Sequence, residues 1–288
     1  MSNNFGGNSV FSELKKVLVR KPNKDFSNAD CNIWNYSSSP NLDIALQEHK
    51  QIVDILESYD VDVVYHDVPM QNKADAIYVF DPVYMSDYGA IILKPGKKLR
   101  QGEEIGMKHK LEELSIPILG ELTGEAIAEG GDILWVDEKT LAIGIGFRTN
   151  TQAAQQIRSM LTPHGVDVLE YHLPYFYGPI ACLHLLSFIS IVDKNLAVIY
   201  PKLMPVPFYK MLVDKGFNFV EVPEDEFSTM APNVLAIKPK ICLMIEGNPI
   251  TKKGLEDAGC KVHTYKGNEI SLKSEGGPTC LTRPLWRG

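Results

Sequence analysis

Five stretches of this chain carry acids, a histidine, an amide or a cysteine just ahead of an apolar–turn–apolar or apolar segment. They are Asp75 and Asp81; Glu129-Gly130-Gly131-Asp132; Cys182-Leu183-His184; Asn233; and Glu275-Gly276-Gly277-Pro278-Thr279-Cys280. A cysteine attacks as its thiolate, and a neighbouring cation favours that form. Carboxylates hold a flat cation such as a guanidinium through paired, charge-assisted hydrogen bonds. A histidine can protonate a departing amine and then activate water, and an acid beside it fixes the ring. Gathered in one place, these types suit attack by Cys280 on the central carbon of a bound guanidinium group.

The elements that would gather them recur. Apolar positions three or four apart predict helices over Asn41–Ser58, Gly102–Leu114, a segment following Asn150, Val206–Lys215, and a last helix that Asn248 caps, that has Pro249 in its first turn, and that stops at Gly259. A short β-rich segment follows each: Val61–Tyr65, Ile116–Leu119, Val166–Leu169, Phe217–Val222 and Lys261–Tyr265. Before four of the helices, hairpins are predicted over Val83–Leu93, Ile133–Ile143, Ile189–Ile199 and Val234–Ile245. The unit is hairpin, helix, strand, at a period of roughly 50 residues. Only half of the first hairpin is present, at Val17–Arg20, and its missing partner is expected near Cys280–Leu285. Pairing the two would close a ring and remove sheet edges. The expected fold is therefore a closed α/β propeller of five units in a single domain over 1–288, with the pre-hairpin residues converging on one end of its channel.

Bulk properties narrow the classes further. The 288 residues carry a net charge of −7 and no basic stripe, so nucleic acid is not the expected partner. No apolar run has the length of a membrane helix, and MSNNFGGNSV lacks the regions of a signal peptide. Five scattered cysteines without a CxxC fit free thiols in a reducing, cytoplasmic setting rather than a disulfide framework or zinc site. No GxGxxG or GKS/T pattern marks a nucleotide loop. Cys182 is expected to be a plain core thiol, and Asp132 a turn-capping acid. His49, His109, His164, Arg283 and Arg287 are expected on the surface.

The stretches EGGDILWVDEKTLAIGIGFRTN, CLHLLSFIS and EGGPTCLTRP resemble the guanidino-modifying superfamily, the penteins. This superfamily includes arginine deiminase, the amidinotransferases and dimethylarginine dimethylaminohydrolase. The last is the closest likeness, and it runs from LKKVLVRKP to the terminal cysteine segment. The resemblance implies a five-bladed α/β propeller of pseudo-fivefold ββαβ repeats. It implies Cys280 as nucleophile, His184 as general acid and base, and Glu129 as its acidic partner. By matching motifs, Asp81 in DAIYVFDP would bind the guanidinium, and Asp75 would be a second polar substrate contact. Arg100 in KPGKKLRQGEE and Arg148 in GFRTN would hold an amino-acid carboxylate. Phe80 stands where dimethylarginine hydrolases often have a glutamate, which removes one anionic contact from the pocket.

The activity so implied is hydrolysis of arginine or a methylated arginine through a Cys-thiouronium, giving citrulline and an amine, with no metal or organic cofactor. Deimination of arginine, amidino transfer to an acceptor amine, and a non-catalytic binding protein are the alternatives. The expected partner is a small cationic guanidino compound, and the sequence leaves the assembly open, up to a homodimer.

Overall fold

The computed structural model describes residues 4–181 and 183–288, so the expectation for Cys182 lies outside the described residues. Each predicted hairpin forms, and each is followed by a helix and a strand that pairs back in parallel. β1 (Leu14–Val19) is joined through the helix Leu42–Glu57 to β2 (Asp62–Tyr65), its parallel neighbour. The next blade is β3 (Val83–Ser86), β4 (Gly89–Ile92), the helix Glu103–Glu113 and β5 (Ile118–Glu121). It is followed by β6 (Ile133–Asp137), β7 (Thr140–Ile145), the helix Thr151–Leu161 and β8 (Asp167–His172). Then come β9 (Ile189–Asp193), β10 (Leu196–Ile199), the helix Val206–Asp214 and β11 (Asn218–Glu221). The last full blade is β12 (Leu235–Lys238), β13 (Ile241–Ile245), the helix Pro249–Asp257 and β14 (Lys261–Tyr265). Finally β15 (Thr282–Arg287) lies antiparallel to β1, with Val19 opposite Thr282 and Leu18 opposite Arg283. The result is five three-stranded sheets, one of which is built from both ends of the sequence.

Burial shows how the sheets are arranged. Hairpin strands are covered on both faces, as in the fully buried runs of β3, β4 and most of β6 and β9, whereas β2 and β5 are partly exposed. Strands buried on both faces read as continuous apolar runs rather than alternating ones, and these do. Residues from β3, β6, β9, β12 and β15 all line one axial void, so the first strand of every hairpin is innermost. Side chains on these inner strands stitch blade to blade. Trp135 donates from its indole to the Met85 carbonyl (3.0 Å), and the Ser190 hydroxyl donates to the Pro232 carbonyl (2.7 Å).

Three expectations are corrected by this packing. Arg283 and Arg287 are not surface residues: β15 is an inner strand, and both side chains are buried at 4% and 5% exposure. His49 lies on the buried side of its helix beside the Tyr65 ring, and burial, aided by Lys21, pulls its pKa down to about 4. Asn248 stands at the start of its helix but does not cap it; its side chain donates to the Thr229 and Ile245 carbonyls. Buried Glu226 supplies the cap instead, accepting from the amides of Ile250 (2.7 Å) and Thr251 (2.8 Å) and from the Thr251 hydroxyl. A buried carboxylate serving three donors ties the connection between β11 and β12 to the helix Pro249–Asp257.

Removing that acceptor strands buried N–H groups, so Glu226→Ala is expected to lower unfolding stability in urea by about 1–3 kcal/mol. Glu224→Ala, at an exposed ion pair with Lys202, is the control and should leave the midpoint unchanged.

Candidate active site

The five pre-hairpin stretches lie at equivalent places, at the entrance to each inner strand. Short 3₁₀ turns carry several of them: Ala74–Ile77, Gly130–Asp132 and Leu185–Ser187. The last is entered from His184, whose backbone N–H donates to the Ser187 hydroxyl (2.9 Å). These turns leave the strands with their side chains facing the end of the ring axis.

Glu129 is the centre of the arrangement. It has no exposure to solvent. Its Oε2 lies 2.8 Å from Nε2 of His184, and both oxygens accept from Nη1 of Arg148 at 2.8 and 2.7 Å. The Lys97 amide donates to Oε1 (2.9 Å). Burial pushes the Glu129 pKa up, but the Arg148 charge and the hydrogen bond and charge of His184 outweigh it and hold the carboxyl well below the usual range. Gly131 is required beside this pair, because a Cβ there would lie 2.4 Å from Nδ1 of His184.

Asp81 is buried next to it. One oxygen accepts from the Gly131 amide (2.9 Å) and the other from Nη1 of Arg100. Arg100 is itself buried, with Nε and Nη2 on Glu103 (3.0 and 2.8 Å) and Nη2 also on the Tyr78 carbonyl. All three of its nitrogens are therefore engaged by the protein, and it borders the chamber from behind Asp81. Asp75 accepts from the Tyr36 hydroxyl (2.8 Å) and from Nζ of Lys97 (2.6 Å). Donor atoms of Asp81, Glu129 and His184 lie within 4.8 Å of one another, close enough to surround a cation. Arg100 and Arg148 already serve the two carboxylates.

Cys280 is half-buried on the turn that precedes β15. Asn233, from the start of β12, donates through Nδ2 toward its sulfur (3.4 Å) and accepts the Thr279 amide (3.0 Å). Gly276 in the same turn packs on Tyr78, and a Cβ there would come within 2.0 Å of the ring. The turn is thus pinned from two sides. Cys280 and His184 border two connected spaces. One is a polar chamber of about 50 Å³ that also meets Asp75, Asp81, Lys97, Arg100, Arg148 and Trp34. The other is a cavity of about 720 Å³ walled largely by Phe176, Tyr177, Leu183, Tyr200 and Phe227.

Sequence reasoning brought forward Cys280, His184, Glu129, Asp81, Asp75, Arg100 and Arg148, and the structure gathers all seven around the polar chamber except that Glu129 lies behind His184 and Arg148. It missed Lys97 and Trp34. Nζ of Lys97 donates to the Trp34 carbonyl (3.0 Å) and sits 5.0 Å from the centre of its indole. Trp34 and Tyr36 belong to the segment 23–40, which lies outside the repeat and carried no periodic signal. Phe80 packs its ring against the Arg283 guanidinium, 3.6 Å from the ring centre.

The family model for "N,N dimethylarginine dimethylhydrolase, eukaryotic" matches residues 17–287. An uncharacterized protein, YkgA of Bacillus subtilis, is 28% identical, the match covering 96% of this chain and 94% of that protein. The N(G),N(G)-dimethylarginine dimethylaminohydrolase of Pseudomonas aeruginosa is 25% identical, covering 93% and 98%. Among solved structures, the Pseudomonas aeruginosa dimethylaminohydrolase, a cysteine-to-serine mutant complexed with citrulline, superimposes with a TM-score of 0.78 at 24% identity, covering 94% of this chain and 98% of that one. The N-terminal domain of ArgZ, a cyanobacterial arginine dihydrolase, gives 0.81 at 21% identity, covering 96% and 98%. These likenesses establish the five-bladed α/β propeller.

Asp132, beside this site, has no exposure and accepts the Leu185 amide (3.0 Å). Burial pushes its pKa from 3.8 up to about 6, against the pull of His184. In the unfolded chain it releases its proton first, so its contribution to stability falls as pH rises from about 4 to about 6. The stability of the wild type minus that of Asp132→Asn, from urea unfolding at each pH, should therefore drop by up to about 3 kcal/mol across that window and stay level above it. A flat difference would mean the carboxyl is ionised throughout.

Proposed function

This chain belongs to the eukaryotic N,N dimethylarginine dimethylhydrolase family and is an amidine-hydrolysing enzyme, and we propose that its substrate is a methylated arginine, hydrolysed to citrulline and an alkylamine. The observation that carries this reading is the shared border of one small polar chamber. A thiol, an imidazole and the buried carboxylate of Asp81 border it, together with the cationic side chains of Lys97 and Arg148. Groups of both signs around one small space suit an amino acid with a guanidino side chain, which carries a cation and a carboxylate.

In this reading Asp81 receives the guanidinium. Arg100, whose fork is spent on Asp81 and Glu103, fixes the Asp81 rotamer rather than meeting the substrate. Arg148 and Lys97 receive the carboxylate, with Asp75 and the Trp34 carbonyl holding the ammonium of Lys97 in place. A planar fork and a point charge together give a carboxylate both direction and attraction.

The reaction follows from the groups so placed. The thiolate of Cys280 adds to the central carbon, whose positive charge is held by Asp81. The carbon becomes tetrahedral. His184, aligned by Glu129, gives a proton to the departing nitrogen, and the C–N bond breaks to leave an S-linked thiouronium on Cys280. His184 then takes a proton from water as its oxygen attacks the same carbon. The C–S bond breaks, the sulfur leaves as thiolate, and the ureido product is released. Holding both charged ends of the substrate supplies much of the rate, because addition to a resonance-stabilised cation is otherwise slow. A second reading, amidino transfer or deimination on the same thiouronium, is favoured only by the breadth of the neighbouring structures. One of these is SxtG, an amidinotransferase from Microseira wollei, with a TM-score of 0.80 at 14% identity.

Incubation with arginine, its methylated forms and agmatine, with mass detection of products, tests the proposal. Citrulline with methylamine or dimethylamine is expected. Citrulline with ammonia alone, or an amidine appearing on an added amine, would favour the second reading. Cys280→Ser should lose at least about 10³-fold in kcat, and the wild type should show a mass increase on Cys280 during turnover. Arg148→Ala and Lys97→Ala should raise KM for amino-acid substrates far more than for agmatine, which has no carboxylate.

A further inference from the structure

Beneath Cys280, the axis of the ring buries two positive charges that form no ion pair with an acid of the described residues, although the charge of Asp81 is felt by Arg283 at longer range. Arg283 and Arg287 stand four residues apart on the inner strand β15, both more than nine-tenths buried. Nη1 of Arg283 donates to the carbonyls of Phe80 (3.3 Å) and Val83 (2.7 Å). Nη1 and Nη2 of Arg287 donate to the carbonyls of Ser12 (2.6 Å) and Ala236 (2.9 Å). Those contacts are to neutral oxygens, and the Nε of each arginine has no acceptor among the described residues. The flat faces of Phe80 and Tyr84 lie 3.6 and 5.1 Å from the Arg283 guanidinium, which is cation–π compensation and not a counter-charge.

The two charges also feel each other. Burial draws the pKa of Arg283 down to about 10 and that of Arg287 to about 9, the latter helped by the charge of Arg283. At neutral pH both remain cations. An ion taken out of water without a partner is strongly unfavourable, and two such ions of one sign are more so. Elsewhere, buried Arg100 has Asp81 and Glu103, and Arg148 has Glu129, while buried Arg20 is met by the carbonyls of His66 and Val68. What sets the axis apart is that two buried arginines lie together there, and both border a void of about 40 Å³.

We propose that this void is a binding site for a small monovalent inorganic anion of the halide class, held between Arg283 and Arg287. Its size is right for that class, since a single water occupies roughly 10–15 Å³ on the same measure. A bulky organic acid does not fit. The remaining wall is formed largely by apolar and aromatic side chains, by Ser190 and Thr279, and by the segment Gly6 to Val10, so the ion exchanges part of its hydration for guanidinium N–H donors. Thr279 borders both this void and the larger cavity at Cys280, so the bound anion sits directly below the turn that carries the thiol.

Two measurements on the full chain test this. Crystals soaked in sodium bromide should show an anomalous peak in the axial void, between the two guanidinium groups. At constant ionic strength, replacing gluconate with chloride from about 1 to about 200 mM should raise the melting temperature along a saturating curve, as for any ligand of the folded state. Arg283→Met and Arg287→Met should each lose that chloride-specific increment. An unsaturable rise that survives in both variants would be a general salt effect and would overturn the proposal. So would equal melting temperatures in the two salts, or a void holding only water in bromide-soaked crystals. If a variant fails to fold, the bromide peak and the wild-type titration still decide.

Discussion

The register of β15 against β1 decides where the thiol of Cys280 lies. Only Leu281 separates Cys280 from the start of β15, and Val19 is fixed opposite Thr282. Because side chains alternate along a strand, a slip of one residue would send Arg283 and Arg287 off the axis and draw the cysteine turn away from Asn233. The pairing joins segments from opposite ends of the sequence, the most costly kind of contact to close in entropy. Its hold is strengthened by the backbone bonds Gly6–Leu285 and Arg287–Gly6, which add a further strap alongside β15. The blade made of both ends is thus the one that carries Cys280, and closing the ring also brings that cysteine to the site.

Around that fixed point the charges are ordered in a chain. Glu103 holds Arg100, Arg100 holds Asp81, and the Gly131 amide completes Asp81; Arg148 and His184 share Glu129. Each carboxylate so buried would be untenable alone, and each is met by a cation or an amide. The consequence for the chamber is geometric. The carboxyl of Asp81 and the ring of His184 have little freedom, because their partners are themselves anchored in strands and turns. Rigid placement is what a reaction limited by positioning requires.

Much of the architecture was legible because the hairpins announce themselves. Val83–Leu93 and Ile133–Ile143 are apolar on both sides of a polar turn, and that pattern arises where strands are buried on both faces. The station before each hairpin brought forward the stretches that hold Asp75, Asp81, Glu129, His184, Asn233 and Cys280, and the family resemblance singled out roles among them. What stayed hidden were partnerships. Nothing in KPGKKLRQGEE distinguishes Lys97, which meets Asp75, from Lys98 beside it, since both are lysines in a polar loop. Arg100 could not be told from a substrate-binding arginine because its choice of Asp81 and Glu103 is made in three dimensions. His49, Arg283 and Arg287 were placed on the surface by residue type, and tertiary packing overrode that preference. Trp34 belongs to a segment that the repeat does not generate, so periodicity was silent on it.

The two spaces that meet at Cys280 divide the work of the fold from the work of specificity. The polar chamber is built almost wholly from repeat stations and their neighbours, the parts that a five-bladed ring supplies by its construction. The larger cavity is different. Phe176, Tyr177 and Leu183 come from the segment 173–187 between β8 and β9, while Phe227 comes from the connection between β11 and β12. Such connections can change length and composition without disturbing the sheets. Given a thiouronium on Cys280, its fate depends on what reaches the carbon from this second side: water, or an amine with a body that aromatic walls accommodate. Under the proposed mechanism, the choice between hydrolysis and transfer would then rest on these connecting segments rather than on the blades.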